Sequence, residues 1–269
     1  MDVGRVGAGP EAGAGPASGV AFASDLDGTL CPQGSWSRFE AADVAAIREL
    51  QRAGGLFGVC TGRSAAGVAH ALGRGAAGVE LDFQIVATGA LVLDGAGREL
   101  FSCRADPAAV GRVVERYLGR LPLVVQAGDY MCTFGEPSCG QVPIGSVADL
   151  GGRVFGVSLA AGSPAGAREV AAWVNAELGE KLVAFENVRN VDVVARGCSK
   201  GRAVDVVRRH LGAGLVAAIG DSYNDLPMLE AADVAFAFAD SPREVRERAD
   251  HLVGSVAEAV GALLDARRA

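Results

Sequence analysis

From residue 19 onward, short apolar runs alternate with longer stretches of helical spacing. "GVAFAS" (19–24) reads as a buried strand, "FEAADVAAIRELQRAGG" (39–55) as an amphipathic helix stopped by glycine, and "LFGVC" (56–60) as a second strand. "SAAGVAHALG" (64–73) and "FQIVATGA" (83–90) continue the alternation, the rhythm of a parallel sheet with helical crossovers. It breaks at "ALVLDGAGRELFS" (90–102), where two short strands flank an Asp-Gly-Ala-Gly turn and predict an antiparallel hairpin. Helices over 107–119 and 164–178 are predicted beyond it, with strands near 122–126, 130–134, 154–160, 182–186 and 191–195. The parallel rhythm resumes with a helix over 199–211, "LVAAIG" (215–220), a helix from Asn224, "DVAFAFA" (233–239), a helix over 242–248, "DHLVG" (250–254) and a last helix over 255–267. The expected fold is α/β: a Rossmann-like parallel-sheet core, 19–90 and 195–269, with an α+β insert over 91–194. Residues 1–18, rich in Gly, Ala and Pro, are expected to be a flexible tail.

Composition narrows the partners. A formal net charge of −7 offers no broad basic field, which argues against nucleic acid or an anionic membrane surface. No run reaches the ~18–20 apolar residues of a membrane span, and no signal-peptide pattern opens the chain, so a cytoplasmic location is expected. The six cysteines form no Cys-x-x-Cys pair, so free thiols are expected, with neither a zinc site nor a disulfide. Of 25 basic residues only Lys181 and Lys200 are lysines, which makes Lys200, beside a helix start, conspicuous.

The chemistry gathers at strand ends. In open α/β sheets, ligands bind beyond the carboxyl ends of the strands. Asp25 and Asp27 follow the first strand, Thr61 follows "LFGVC", Lys200 enters a helix, and Asp221 to Asp225 follow "LVAAIG". Four carboxylates meeting there would repel one another unless a divalent cation sat among them, and oxygen donors suit Mg²⁺ together with a substrate phosphate. Beside such an ion the Asp25 carboxylate can attack phosphorus, and Asp27 can serve the leaving oxygen as general acid and then water as base. Thr29 can hold the turn. Thr61 offers a hydroxyl and nearby backbone N–H groups to phosphate oxygens, and Lys200 can bridge phosphate and Asp25. Thr61 could equally cap the following helix, and Arg63 alone reads more readily as a surface charge. His70, His210 and His251 have no partner at metal-ligand spacing.

"DLDGT" (25–29), "CTGR" (60–63), "SKG" (199–201) and "GDSYND" (220–225), in that order, resemble the four motifs of the haloacid dehalogenase superfamily, in its sugar-phosphatase-like branch with an inserted α+β (type C2B) cap. The resemblance implies Asp25 as nucleophile and Mg²⁺ ligand, and Asp27 as general acid/base and metal ligand through its carbonyl. It further implies Asp221 as a metal ligand, Thr61, Gly62, Arg63, Lys200 and Asn224 as residues binding the phosphorylated substrate, and Thr29 and Asp225 in support. The chain departs from the branch at Thr88-Gly89, where Asn-Gly is common, and at "AFAFADSP". The expected activity is hydrolysis of a small phosphorylated metabolite such as a sugar phosphate, phosphoglycolate or a phosphoglycerate-type ester. The alternatives are phosphomutase-type transfer and a non-enzymatic phosphoaspartate or phosphate-binding module; an acid/base beside the acceptor argues against the latter.

Overall fold

The computed structural model describes residues 19–268 apart from 33, 36, 76–78 and 139, so the expected tail lies outside the described residues. The first half of the core runs β1 (Val20–Ser24), α1 (Ala41–Arg52), β2 (Leu56–Cys60), α2 (Ala65–Gly75), β3 (Phe83–Val86), β4 (Leu91–Asp94) and β5 (Glu99–Ser102). The insert follows as α3 (Pro107–Tyr117), β6 (Leu123–Gln126), β7 (Met131–Thr133), β8 (Gln141–Pro143), β9 (Gly156–Ala160), α4 (Pro164–Glu177), β10 (Leu182–Asn187) and β11 (Asn190–Ala195). The chain then returns through α5 (Lys200–Leu211), β12 (Leu215–Gly220), α6 (Leu226–Ala231), β13 (Val234–Phe238), α7 (Arg243–Arg248), β14 (His251–Val253) and α8 (Val256–Arg268).

Eight strands form the core sheet in the order β14-β13-β12-β1-β2-β3-β4-β5. Those from β14 to β3 pair in parallel, whereas β4 and β5 add on antiparallel. The hairpin that sequence rhythm groups with the insert thus extends the core sheet, because a tight turn after β3 can return the chain only to an antiparallel neighbour. Both faces of the parallel part are covered. Phe22, Phe57 and Phe236 stack on the side of α1 and α8, while the small Ala21, Ala23, Ala218 and Ala237 face α5, α6 and α7. Double-sided burial explains why these strands read as unbroken apolar runs.

The insert is a six-stranded sheet in the order β10-β11-β9-β6-β7-β8. Side chains alternate across it: Val125, Val157, Leu159, Val191 and Val193 are buried with α3 and α4, while Gln126, Ser158 and Asp192 occupy the other face, toward the core. Each of its helices starts on a side-chain cap followed by proline, Asp106-Pro107 and Ser163-Pro164.

One expectation is corrected. Cys103 and Cys198, 95 residues apart, form a disulfide that joins the segment leaving the core sheet to the one returning to it. Their proximity comes from the two crossings lying side by side, which spacing in sequence cannot reveal. The free-thiol argument therefore holds, among the described residues, for the buried Cys31, Cys60 and Cys132 only; Cys139 lies outside them. A cross-link closing so long a loop constrains the unfolded chain, and removing it by dithiol or by Cys103→Ser is expected to cost about 2–4 kcal/mol. Denaturant titration with and without dithiothreitol reads this directly; coincident midpoints would show that no cross-link forms.

Candidate active site

β12, β1 and β2 are neighbours, so Asp221, Asp25 and Thr61, each just past its strand, fall side by side at one sheet edge. Asp25 is fixed by its N–H, which donates to Ile219 O at 2.9 Å. Ser199 caps α5 by accepting from Arg202 N, which directs Lys200 of the first turn inward. The closeness of α5 to α6 requires Gly201: a Cβ there would lie 2.1 Å from Pro227 O.

Lys200 is wholly buried, and its ammonium donates to Asp25 Oδ1 and Asp225 Oδ1, both at 2.6 Å. Asp225 Oδ2 accepts from the N–H groups of Asp221 and Ser222, both at 3.0 Å, so both its oxygens are engaged. Thr29 Oγ1 donates to Asp221 Oδ1 at 3.2 Å. Asp25, Asp221 and Asp225 each offer an oxygen within 4.8 Å of the others. Because Asp225 already serves Lys200 and two amides, Asp25 and Asp221 are the carboxylates with capacity for a cation. Gly28, at φ +95°, makes the turn feasible: a Cβ would stand 2.5 Å from Asp221 Oδ2.

Electrostatics favour a cation at this cluster. Burial pushes the Asp25 carboxyl well above the usual range; Lys200 opposes this, and the charges of Asp225 and Asp221 add to it. Burial and the neighbouring Asp225 push Asp221 up to about 6. Burial works against the Lys200 charge, but Asp225 and Asp25 outweigh it and hold the ammonium protonated. Three carboxylates around one ammonium leave excess negative charge in a desolvated place, which a divalent ion relieves. The residues present therefore fit Mg²⁺. Burial also pushes the Cys31 thiol up to about 11 and raises Cys60, so neither neighbouring thiol is a nucleophile at neutral pH.

The side chain of Asp27 is half-exposed and held by Arg63, whose Nε and Nη2 donate to Oδ2 and Oδ1 at 2.9 and 2.5 Å. Arg63 is itself 6% exposed, so it is a buried partner of the candidate acid/base and not a surface charge. Thr61 Oγ1 accepts from Arg63 N at 3.1 Å, whereas Ser64, not Thr61, accepts from Gly67 N at the start of α2. Asn224 is buried and lines the same cavity as Asp25, Asp27, Thr61, Gly62, Arg63 and Asp221. That cavity, about 770 Å³, lies between the core edge and the insert sheet and is large enough for a small metabolite.

Insert and core meet through polar contacts. Gln126 Nε2 donates to Gly62 O at 2.9 Å, and Ser222 Oγ donates to Asn187 Oδ1 at 3.0 Å. Ser158 Oγ donates to Asp192 Oδ1 at 2.7 Å. Sequence reasoning passed over Gln126, Ser158 and Asp192. The available signal was polar residues at alternate positions of otherwise apolar strands, "LVVQ", "GVSLA" and "NVDVVA". Asn190 of β11 and Gly135, just past β7, line the cavity as well.

A parallel sheet whose strand ends carry a lysine-bridged carboxylate cluster under an inserted α+β unit defines an α/β core with a candidate catalytic site. The family model of haloacid dehalogenase-like hydrolases matches residues 22–125 and 157–264, and the chain belongs to that family. Among solved structures, a haloacid dehalogenase-like hydrolase from B. subtilis is 22% identical with a TM-score of 0.77, over 91% of this chain and 98% of that one. A putative HAD/COF-like hydrolase from Plasmodium vivax is 19% identical with a TM-score of 0.78, over 95% and 98%. The subclass IIB sugar phosphatase BT4131 is 19% identical with a TM-score of 0.70, over 92% and 97%. No curated protein sequence matches. No helix among the described residues is long and apolar enough to cross a membrane.

Proposed function

We propose that this chain is a Mg²⁺-dependent phosphomonoester hydrolase acting on a small phosphorylated metabolite. The observation that carries the reading is Asp25 at the end of β1, 2.6 Å from the buried Lys200 and grouped with Asp221, with Asp27 two residues on in the same cavity. Asp25 and Asp221, with the Asp27 carbonyl, would hold Mg²⁺, which supplies charge neutralisation between the carboxylates and the incoming phosphate. Thr61 and the Gly62 loop orient the phosphate, while Lys200, buried behind the cavity wall, holds the Asp25 carboxylate in place. An Asp25 oxygen attacks phosphorus in line, the bond to the leaving alcohol breaks, and the Asp27 carboxylic acid gives its proton to the departing oxygen. Asp27, now ionised, takes a proton from water, which cleaves the aspartyl-phosphate and returns Asp25. Arg63, bonded to both oxygens of Asp27, holds its ionised form at the cavity wall and gives up one oxygen when Asp27 carries the proton, and the insert excludes bulk water. A structural neighbour named as a sugar phosphatase supports sugar phosphates; phosphoglycolate- and phosphoglycerate-type esters are the other members of the proposed range.

Phosphate release from a panel of such esters, with Mg²⁺ and then with excess EDTA, tests the reading. Release that EDTA abolishes and Mg²⁺ restores is the expected result. Absence of release from every ester in the presence of Mg²⁺ overturns it.

A further inference from the structure

Three polar side chains on the core-facing side of the insert join across its strands and end on the core. Asp192 Oδ1 of β11 accepts from Ser158 Oγ of β9 at 2.7 Å, and Ser158 Oγ accepts from Gln126 Nε2 of β6 at 3.4 Å. The same Nε2 donates to Gly62 O at 2.9 Å. The donor directions are forced. A carboxylate only accepts, so the Ser158 proton points at Asp192, and the Ser158 oxygen is left to accept from Gln126. The NH₂ end of Gln126 therefore faces Ser158 and Gly62; turned over, the amide would set its oxygen against two others. Its Oε1 stays buried without a partner, so the two donated hydrogens decide the orientation. The carbonyl held in this way belongs to the phosphate loop. Its peptide continues to the N–H of Arg63, which donates to Thr61 Oγ1 at 3.1 Å. The core pins the loop on either side, Thr88 N donating to Thr61 O and Ala87 N to Arg63 O. Gly62 between them has no side chain to fix its own peptide plane. The insert presses close at this point: a Cβ built on Gly62 would stand 3.3 Å from Asp192 Oδ2.

We propose that Gln126 is a positioning residue for phosphate binding: from the insert it holds the Gly62–Arg63 peptide so that the Arg63 N–H occupies a lone pair of Thr61 Oγ1 and the Thr61 hydroxyl proton is turned to a phosphate oxygen in the cavity. A hydroxyl that accepts one N–H keeps its own proton for another acceptor, and Thr61 lines the cavity. Gln126, 3% exposed, acts through this peptide and does not touch the substrate. The identity of the anion rests on the phosphatase reading. The insert thereby does more than cover the cavity: the phosphate loop is complete only with the insert seated on it, and Ser158 and Asp192 serve to aim the Gln126 amide.

The test measures calorimetric binding of inorganic phosphate with Mg²⁺ present, and kcat/KM on phenyl phosphate, for wild type, Thr61→Val, Gln126→Met and the Thr61→Val/Gln126→Met double variant. Val removes the hydroxyl at nearly constant shape, and Met keeps the reach of Gln without an N–H. Gln126→Asn, still polar but one methylene short of Gly62, is a second variant should Gln126→Met fold poorly. Thr61→Val should weaken phosphate binding by roughly 10-fold or more, the loss of a hydrogen bond to a charged group, and each Gln126 variant by roughly 3- to 10-fold. The double variant should bind phosphate within about twofold of Thr61→Val, because the amide acts through that hydroxyl. A residue that merely braced the insert would give losses that multiply. Multiplying losses, phosphate affinity at the wild-type level in both Gln126 variants, or no phosphate binding by wild type would overturn the assignment. Should no ester be hydrolysed, the phosphatase reading fails; phosphate calorimetry, which needs no turnover, still decides the role of Gln126.

Discussion

Asp25→Asn is expected to abolish phosphate release, by more than roughly 10⁴-fold, as loss of a covalent nucleophile does in other hydrolases. An amide has no anionic oxygen to attack phosphorus, and it weakens the cation site shared with Asp221. The fold should survive. Lys200 retains Asp225 at 2.6 Å, and the substitution removes a carboxylate that burial already drives toward its neutral form. A group whose folded pKa is raised destabilises the native state above its unfolded pKa. Metal-free Asp25→Asn should therefore melt at or above the wild-type temperature at pH 7.5, the pattern of a site that holds strain for function. Asp27→Asn should cost less, roughly 10²–10⁴-fold, because it removes proton transfer and leaves the nucleophile in place. Phosphate assays and thermal scans on both variants check this. A tenth of wild-type turnover remaining in Asp25→Asn would show that another group makes the bond to phosphorus.

What the sequence disclosed follows the range of each interaction. The parallel strands are legible because both faces are buried, and the strand-end motifs because Asp25, Thr61, Lys200 and Asp221 each sit just after an apolar run or at a capped helix start. Local pattern carries that information. The hairpin of β4 and β5 is legible as a hairpin, but its membership of the core sheet is decided by pairing to β3, a tertiary choice. Cys103 and Cys198 are similarly opaque, since nothing local records that two chain crossings run together. Arg63 reads as a surface charge because its burial depends on Asp27, 36 positions away. Asp192 was passed over for a different reason: one acidic residue within an apolar strand resembles an outward-facing position, and only the core pressed on that face makes it a buried, unpaired carboxylate.

Lys200→Met should be the most destabilising single change in the site. The ammonium is fully buried and is the shared partner of Asp25 and Asp225, so its loss leaves two desolvated carboxylates facing each other with Asp221 nearby. Breaking a buried ion pair from one side typically costs about 3–5 kcal/mol, which for a chain of this size lowers Tm on the order of 10 °C. The pH dependence distinguishes this cause from lost packing. Lys200 has a raised folded pKa, so its stabilisation is present at any pH below that of a free lysine and does not titrate between pH 4 and 8. The carboxyls titrate there instead. Their folded pKa values are raised, Asp221 to about 6, so the penalty on the native state is full above those values and fades as pH falls toward their unfolded values near 4. The gap in Tm between wild type and Lys200→Met should thus be widest near pH 7.5 and narrow steadily below pH 6. Millimolar Mg²⁺ at pH 7.5 should narrow it as well, because a cation between Asp25 and Asp221 relieves the same repulsion. A gap that stays constant from pH 8 to 4.5 and ignores Mg²⁺ would mean that Lys200 acts by filling space, and that the carboxylate cluster is not the source of the strain.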